Sequence, residues 1–141
     1  MNREKLAENL QILMPVVFKK LMKTFPELEI SKHMLELLFM IKKEDSKPMS
    51  YFSEKLMLPK SNLTVMADRL IEEGFIERAF DPNDRRVIIL RITEKGDQYL
   101  CKAREKVKLH VAEKLVVFSD EEINRLNELV EEMKAIFSKM D

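Results

Sequence analysis

The chain has 141 residues, 45% of them hydrophobic and 35% charged, with 25 basic and 25 acidic side chains and no net charge. This length fits one domain, or a small domain with an assembly element attached, and two glycines and five prolines favour a mostly helical protein. No apolar run approaches the ~20 residues of a membrane span, and no signal-peptide pattern is present. The single Cys101 excludes an intrachain disulfide and fits a reducing cytoplasm.

The first predicted helix spans residues 3–24, and Pro15 within it predicts a kink or a local break. Its apolar side chains form one stripe, which requires a partner in the core or in a second chain. The stripe consists of Leu6, Leu10, Leu13, Met14, Val17 and Leu21.

A second helix is predicted to begin after Ser31, whose hydroxyl can cap it. This helix is apolar over most of its circumference and is therefore expected to be buried. Its apolar residues are Met34, Leu35, Leu37, Leu38, Phe39 and Ile41. Residues 44–48 are interpreted as a polar loop, and Ser50 is predicted to cap a short third helix. The inward residues of that helix are Phe52 and Leu56.

The fourth helix follows a turn at Met57 and Leu58, with Pro59 suited to its first position and Gly74 to the residue past its last turn. The stripe expected to face the core is Leu63, Met66, Ala67, Leu70 and Ile71. The outward residues are Lys60, Ser61, Asn62, Thr64, Val65, Asp68 and Arg69. Small hydroxyl and amide side chains at a helix N-terminus can reach base edges, and the helix amides can meet phosphate. An ordinary solvated face explains the same pattern equally well.

Two short runs rich in β-branched and aromatic residues, 75–80 and 87–92, predict a hairpin. The six residues between them, 81–86, are turn formers that end in Arg85 and Arg86. A plain surface hairpin needs no paired arginines. A helix followed by a hairpin with a basic tip therefore predicts a winged helix-turn-helix head within a mainly α fold.

The charge balance argues against DNA binding, because a nucleic-acid-binding domain is usually basic. The window from Glu54 to Lys95 holds eight basic and eight acidic residues. Any affinity for a duplex must therefore depend on where the charges point rather than on their sum.

A long helix capped by Thr93 is predicted to run to about Val116, with Leu100, Ala103, Val107, Val111 and Leu115 along one side. Ser119 and Glu122 form a capping box that opens a last helix. The stripe of the last helix is Ile123, Leu126, Leu129, Val130, Met133, Phe137 and Met140. A single small head cannot cover the apolar stripes of the helices at both ends of the chain. This favours a helical bundle formed across two copies of the chain. We expect one integrated domain in three parts: residues 1–30 and 97–141 for dimerisation, and 31–96 for the head.

From about Ser31 to Gly96 the chain resembles the multiple antibiotic resistance regulator (MarR) family of transcription factors. The matching segments are Lys60-Ser61, Asp68-Arg69-Leu70, Glu73 to Arg78, Asp81 to Arg86 and Leu90 to Gly96. The chain departs from the family pattern at Val65, where relatives often carry a basic residue.

The resemblance implies a homodimer that binds a pseudo-palindromic operator in double-stranded DNA, acts as a repressor and is released by a small aromatic or phenolic effector. The residues predicted to contact DNA are Lys60, Ser61, Asn62, Thr64, Arg69, Arg85 and Arg86. Arg85 is the better candidate for the minor groove, while Arg86 is expected to bridge to Asp81, to Asp84 or to the DNA backbone, and the two arginines could exchange roles. Asp81 and Asp84 are interpreted as acceptors that hold the wing.

The effector pocket suggested by the resemblance is lined by Val17, Leu21, His33, Leu37 and Tyr99. No metal site, cofactor or catalytic motif is predicted, and Cys101 is interpreted as structural. The alternative to a DNA-binding regulator is a winged helix used for protein contact, and salt-dependent binding to a duplex discriminates between the two.

Overall fold

The computed structural model describes residues 2–140 and places six α-helices and one antiparallel sheet in them. The elements are α1 (Arg3–Met22), α2 (Lys32–Lys43), β1 (Lys47–Pro48), α3 (Met49–Leu56), α4 (Lys60–Glu72), β2 (Ile76–Asp81), β3 (Asp84–Ile92), α5 (Glu94–Lys114) and α6 (Asp120–Phe137). Short 3-10 turns follow α5 at Leu115–Val117 and α6 at Ser138–Met140. The sheet order is β1-β3-β2. The predicted class, mainly α with a winged helix-turn-helix, is confirmed.

The chain divides into two compact units. One, which we call the head, is Pro26–Lys106, and the other combines the residues up to Phe25 with those from Val107 onward. Leu100 of α5 is buried in the core of the head, so this unit includes the first turns of α5.

The core of the head is built from the apolar faces of α2, α3 and α4 together with the inner side of the sheet. Its fully buried side chains are Leu37, Leu38, Ile41, Phe52, Leu63, Ala67, Leu70 and Leu90. The stripe predicted for α4 faces this core as expected, with Met66 and Ile71 at its margin. Burying the α4 stripe fixes which side of that helix remains outside.

The junction between α4 and β2 is closed by a glycine in the left-handed region. Gly74 has φ +79°, its amide donates to the carbonyl of Ile71, and the amide of Phe75 donates to that of Leu70. These two bonds form a Schellman motif that ends the helix. The hydroxyl of Thr93 accepts from the amide of Gly96 and so caps α5, as predicted, and it donates to the carbonyl of Gly74 at 2.6 Å.

Several local predictions are wrong. Helix α1 continues through Pro15, which contradicts the predicted local break and leaves the predicted kink untested. Helix α3 begins at Met49 after Pro48, so Ser50 does not cap it. The expected loop at 44–48 contains strand β1, because Lys47 and Pro48 pair with Leu90 and Ile89 of β3. The side chain of Phe39 was expected in the core and is 44% exposed.

The second unit leaves large apolar side chains uncovered. In α6, which the predicted capping box of Ser119 and Glu122 opens, no residue is buried. Its exposed apolar residues are Leu126, Leu129, Val130, Met133, Ile136 and Phe137. Those of α1 are Leu6, Ile12, Leu13, Met14, Val16, Val17 and Phe18. Within residues 2–140, no helix is long and apolar enough to cross a bilayer.

Candidate nucleic-acid interface

The first turn of α4 exposes three polar side chains that have no hydrogen-bond or ion-pair partner in the described chain. Lys60, Ser61 and Asn62 are exposed, and none of them has a side-chain partner among residues 2–140. The hydroxyl of Thr64 donates to the carbonyl of Lys60 at 2.9 Å, which leaves its oxygen free to accept. This turn of the helix can therefore offer amide, hydroxyl and ammonium groups to an external partner.

The turn that leads into α4 is held without a glycine. Met57 adopts the left-handed conformation, φ 54° and ψ 38°, at a steric cost of about 1–2 kcal/mol. The Ser53 hydroxyl donates to the carbonyl of Leu58 at 2.6 Å, and the Leu58 amide donates back to the carbonyl of Ser53 at 3.1 Å. These bonds offset the strain and fix the angle between α3 and α4.

An ion pair connects the outer face of α4 to the hairpin. Arg78 of β2 donates from Nη2 to the Oδ1 of Asp68. Asp68 is the one carboxylate between Lys60 and Arg69, so this pairing neutralises the acidic charge on the exposed face of the helix. Arg69, predicted to reach a phosphate, lies 3.4 Å from the carboxylate of Glu73 and remains more than half exposed.

The hairpin has a two-residue turn rather than the six-residue turn that the sequence suggested. Asp81 pairs with Asp84, so the turn is Pro82 and Asn83. The register jumps from Phe80↔Ile88 to Asp81↔Asp84, which places residues 85–87 in a bulge of β3. Both wing arginines therefore lie on the strand beside the tip rather than at the tip itself. A bulge of this kind turns side chains away from the sheet.

The two aspartates of the wing accept hydrogen bonds from its own backbone. Asp81 Oδ1 accepts from the amide of Asn83 at 2.8 Å, and Asp84 Oδ1 accepts from the amide of Arg86 at 3.0 Å. The Arg86 guanidinium also donates two hydrogen bonds, of 3.1 and 3.2 Å, to the carboxylate of Asp84. These bonds from Arg86 hold the pKa of Asp84 below its usual value.

Arg85 stands apart from this network. No residue between 2 and 140 pairs with its guanidinium, whereas the neighbouring Arg86 is occupied by Asp84. The head has no excess of basic residues, yet its unpaired cations include Arg85 on the wing and Lys60 at the start of α4. Among the described residues, cations without a partner therefore lie on the first turn of α4 and on the wing, although the head as a whole is neutral.

The predicted effector pocket is not tested by the structure and stays a prediction. His33 is exposed, with Nδ1 3.8 Å from Glu36, and Leu37 is wholly buried in the core of the head. Tyr99 lines an open pocket of about 290 Å³ in the head; the other residues of that pocket are Glu29, Glu73, Phe75, Lys95, Gln98 and Lys102. Val17 and Leu21 belong to the other unit.

Burial shapes the chemistry of this pocket. The Tyr99 ring stacks on Phe75 at 4.5 Å, and its hydroxyl oxygen is buried without a hydrogen bond of good geometry among the described residues. Burial is the main reason why the pKa of Tyr99 is raised.

Cys101 is exposed, and residues 2–140 contain no cluster of three or more acidic, histidine or cysteine side chains that could hold a metal.

A family model described as the MarR family matches residues 30–88 of this chain. The HTH-type transcriptional regulator YpoP of Bacillus subtilis is 28% identical over 142 residues, covering 99% of this chain and 96% of YpoP. The HTH-type transcriptional repressor MdtR of the same bacterium is 30% identical over 98 residues, covering 67% of this chain and 63% of MdtR.

Solved structures show the same fold. The transcriptional regulator Tm0710 of Thermotoga maritima aligns with a TM-score of 0.77 at 23% identity, over 97% of this chain and 96% of that one. FabT of Streptococcus pneumoniae, determined in complex with DNA, aligns with a TM-score of 0.58 at 22% identity, over 98% and 99% of the two chains.

Proposed function

We propose that this chain is a MarR-family transcriptional regulator that binds a pseudo-palindromic site in double-stranded DNA as a homodimer. The observation that carries the proposal is that one head exposes two groups of side chains without a partner in residues 2–140. They are the polar side chains in the first turn of α4 and the guanidinium of Arg85 on the wing. FabT, a structural neighbour, was determined with DNA bound, which supports the same partner here.

In the proposed complex, α4 lies in the major groove and the wing reaches the adjacent minor groove. Ser61, Asn62 and Thr64 supply amide and hydroxyl groups to base edges, and Lys60 meets a phosphate. Arg85 enters the minor groove, where narrow A·T-rich tracts concentrate negative potential. Arg86 remains bound to Asp84 and stiffens the wing.

Two copies are proposed because the apolar faces of α1 and α6 are exposed in a single chain. A two-fold axis would cover both faces and present two α4 helices about one DNA turn, roughly 34 Å, apart. Repression by occlusion of a promoter is the proposed outcome, and the name of the relative MdtR, a transcriptional repressor, supports it. The proposed site of action is the cytoplasm.

The wing arginines give the test of this function, for which an operator is first selected from random duplexes with the purified protein. We expect Arg85→Ala to weaken operator binding at least tenfold at moderate salt and to flatten the plot of log K against log salt by about one unit. Its melting temperature should be unchanged, because Arg85 has no partner within the described chain.

The matched control for the wing test is Arg86→Ala, which removes the neighbouring charge but breaks an internal bond to Asp84. It should alter affinity less than Arg85→Ala does. Fluorescence anisotropy over a salt series measures both variants. An Arg85→Ala protein that binds the operator as tightly as the native chain would favour the protein-contact alternative.

A second prediction concerns base reading by α4. Replacing Asn62 by Ala should cost about 1–3 kcal/mol on the operator and relax the preference at one base pair. Binding to a random duplex should change little, because Asn62 carries no charge. Arg69→Ala should weaken operator and random duplexes alike. Equal losses on both duplexes for Asn62→Ala would show that Asn62 reads no base.

A further inference from the structure

Two lysines of the head lie close to one aromatic ring in the helix that precedes α4. The Nζ of Lys47, in β1, lies 5.5 Å from the centroid of the Tyr51 ring, and the Nζ of Lys55, in the last turn of α3, lies 5.7 Å from it. Both distances fall within the range of a cation–π contact. We call this group the Lys47–Tyr51–Lys55 clamp.

The Tyr51 ring of the clamp is held in place by packing against the core of the head. Tyr51 is half-buried and packs edge-on against Phe52, with 5.4 Å between ring centroids. Phe52 is fully buried in the core of the head. The tyrosine therefore forms a fixed platform, whereas the two lysine side chains remain exposed.

The clamp concentrates positive charge without an internal counterion. Neither ammonium group makes an ion pair with a carboxylate in residues 2–140. Two ammonium groups on one ring repel each other, and a cation–π contact at an exposed site is weak. An arrangement of this kind gains most when an external anion binds to both cations.

From this geometry we infer that the Lys47–Tyr51–Lys55 clamp holds phosphates of the DNA strand beside the groove that receives α4. The inference rests on the proposed function, and it assigns to this site the sugar-phosphate backbone rather than the bases. The first helix of a helix-turn-helix crosses the DNA backbone when the second helix enters the major groove. Lys55 sits in that first helix, and β1 brings Lys47 beside it.

The clamp also explains how a neutral head can bind a polyanion. Lysines preset on a rigid ring lose less side-chain freedom on binding than two free lysines would, since immobilising a free lysine side chain costs rotamer entropy. With Lys60 on α4 and Arg85 on the wing, the clamp gives the head several unpaired cations on the elements proposed to contact DNA.

Salt titrations on two duplexes test the clamp: the selected operator and a random duplex of the same length. Lys47→Gln and Lys55→Gln should each lower the slope of log K against log salt by about 0.9, the value for one lost phosphate contact. Both variants should weaken the two duplexes by the same factor, about 3-fold to 10-fold at moderate salt. Lys102→Gln, a lysine of α5 in the same head, serves as the matched control and should leave the slope unchanged.

Two substitutions at position 51 test the part played by the ring. Tyr51→Phe keeps the ring and should bind like the native chain, whereas Tyr51→Leu removes it and should weaken both duplexes. The two lysine slopes decide the proposal even if Tyr51→Leu does not fold. Full binding by a folded Tyr51→Leu protein would overturn the role of the ring.

The clamp and the proposed function fail in different ways. Unchanged slopes for both lysine variants, with Arg85→Ala still weakened, would overturn the clamp and leave DNA binding in place. A native chain that binds neither duplex in a salt-dependent manner would overturn the proposed function and the clamp with it.

Discussion

Leu129→Asp is expected to convert the dimer into monomers and to abolish operator binding. Leu129 lies in the exposed stripe of α6 and is 38% exposed in a single chain. In the proposed dimer this side chain would be covered, and an uncompensated buried charge costs several kcal/mol. A two-fold axis repeats the substitution in both subunits, so the penalty would be incurred twice per dimer.

Analytical ultracentrifugation at micromolar concentration measures the effect of Leu129→Asp. The native chain should sediment at about twice its mass of 16.7 kDa, and the variant at about that mass. The head should keep its fold, because α6 belongs to the other compact unit. Operator affinity should fall by a hundredfold or more, since one head alone loses the second half-site.

A matched control separates dimer loss from the effect of an added charge. Asn124→Asp introduces the same charge on α6, about 140° around the helix from Leu129 at 3.6 residues per turn. Asn124 is exposed, so this variant should remain dimeric. A native chain that is monomeric at micromolar concentration, or a dimeric Leu129→Asp variant, would remove the geometric basis for reading two half-sites.

Most of the helical framework could be predicted from the sequence because its signals are local. The stripe of α4, the place of Gly74 just past the last turn of α4 and the caps at Ser31, Thr93 and Ser119 depend on residues within a few positions of one another. Capping bonds and helical periodicity are set by that short-range geometry. Each of these predictions is confirmed.

The sequence could not show features that depend on distant partners. Strand β1 is only two residues long and contains a proline, so its composition resembles a loop, and it exists because β3 pairs with it. Strand formation depends more on such pairing than on intrinsic preference. The bond from Arg78 to Asp68 likewise joins a strand to a helix, and no local pattern indicates it.

The wing was predicted in part. A turn between two strands was expected, but its length was overestimated because six consecutive turn-forming residues match a long loop as well as a bulged strand. The clamp was missed, although Tyr51 and Lys55 are four residues apart on a helix, a spacing at which side chains meet. The contribution of Lys47 could not be seen, since it reaches Tyr51 from β1.

Gly96 is expected to tolerate no side chain without a shift of the backbone. A Cβ built on it would lie 2.1 Å from the carbonyl oxygen of Phe75 and 2.9 Å from its carbonyl carbon. That oxygen accepts from the amide of Thr93 at 3.0 Å, so the clash involves the backbone that joins the end of α4 to the start of α5. Neither side can rotate away, as a flexible side chain would.

We therefore expect Gly96→Ala to destabilise the head by about 3 kcal/mol or more, because overpacking typically costs about 1–3 kcal/mol and a clash with rigid backbone lies at the upper end of that range or above it. For a unit of this size, thermal unfolding followed by circular dichroism should show a fall in melting temperature of more than about 10 °C. Gly74→Ala is the matched control. Its added Cβ would meet only the Lys95 side chain, at 3.5 Å, so its cost is the left-handed φ alone, about 1–2 kcal/mol. A Gly96→Ala protein as stable as the Gly74→Ala protein would contradict the close approach of α5 to Phe75, and with it the packing that aims α4 and the wing.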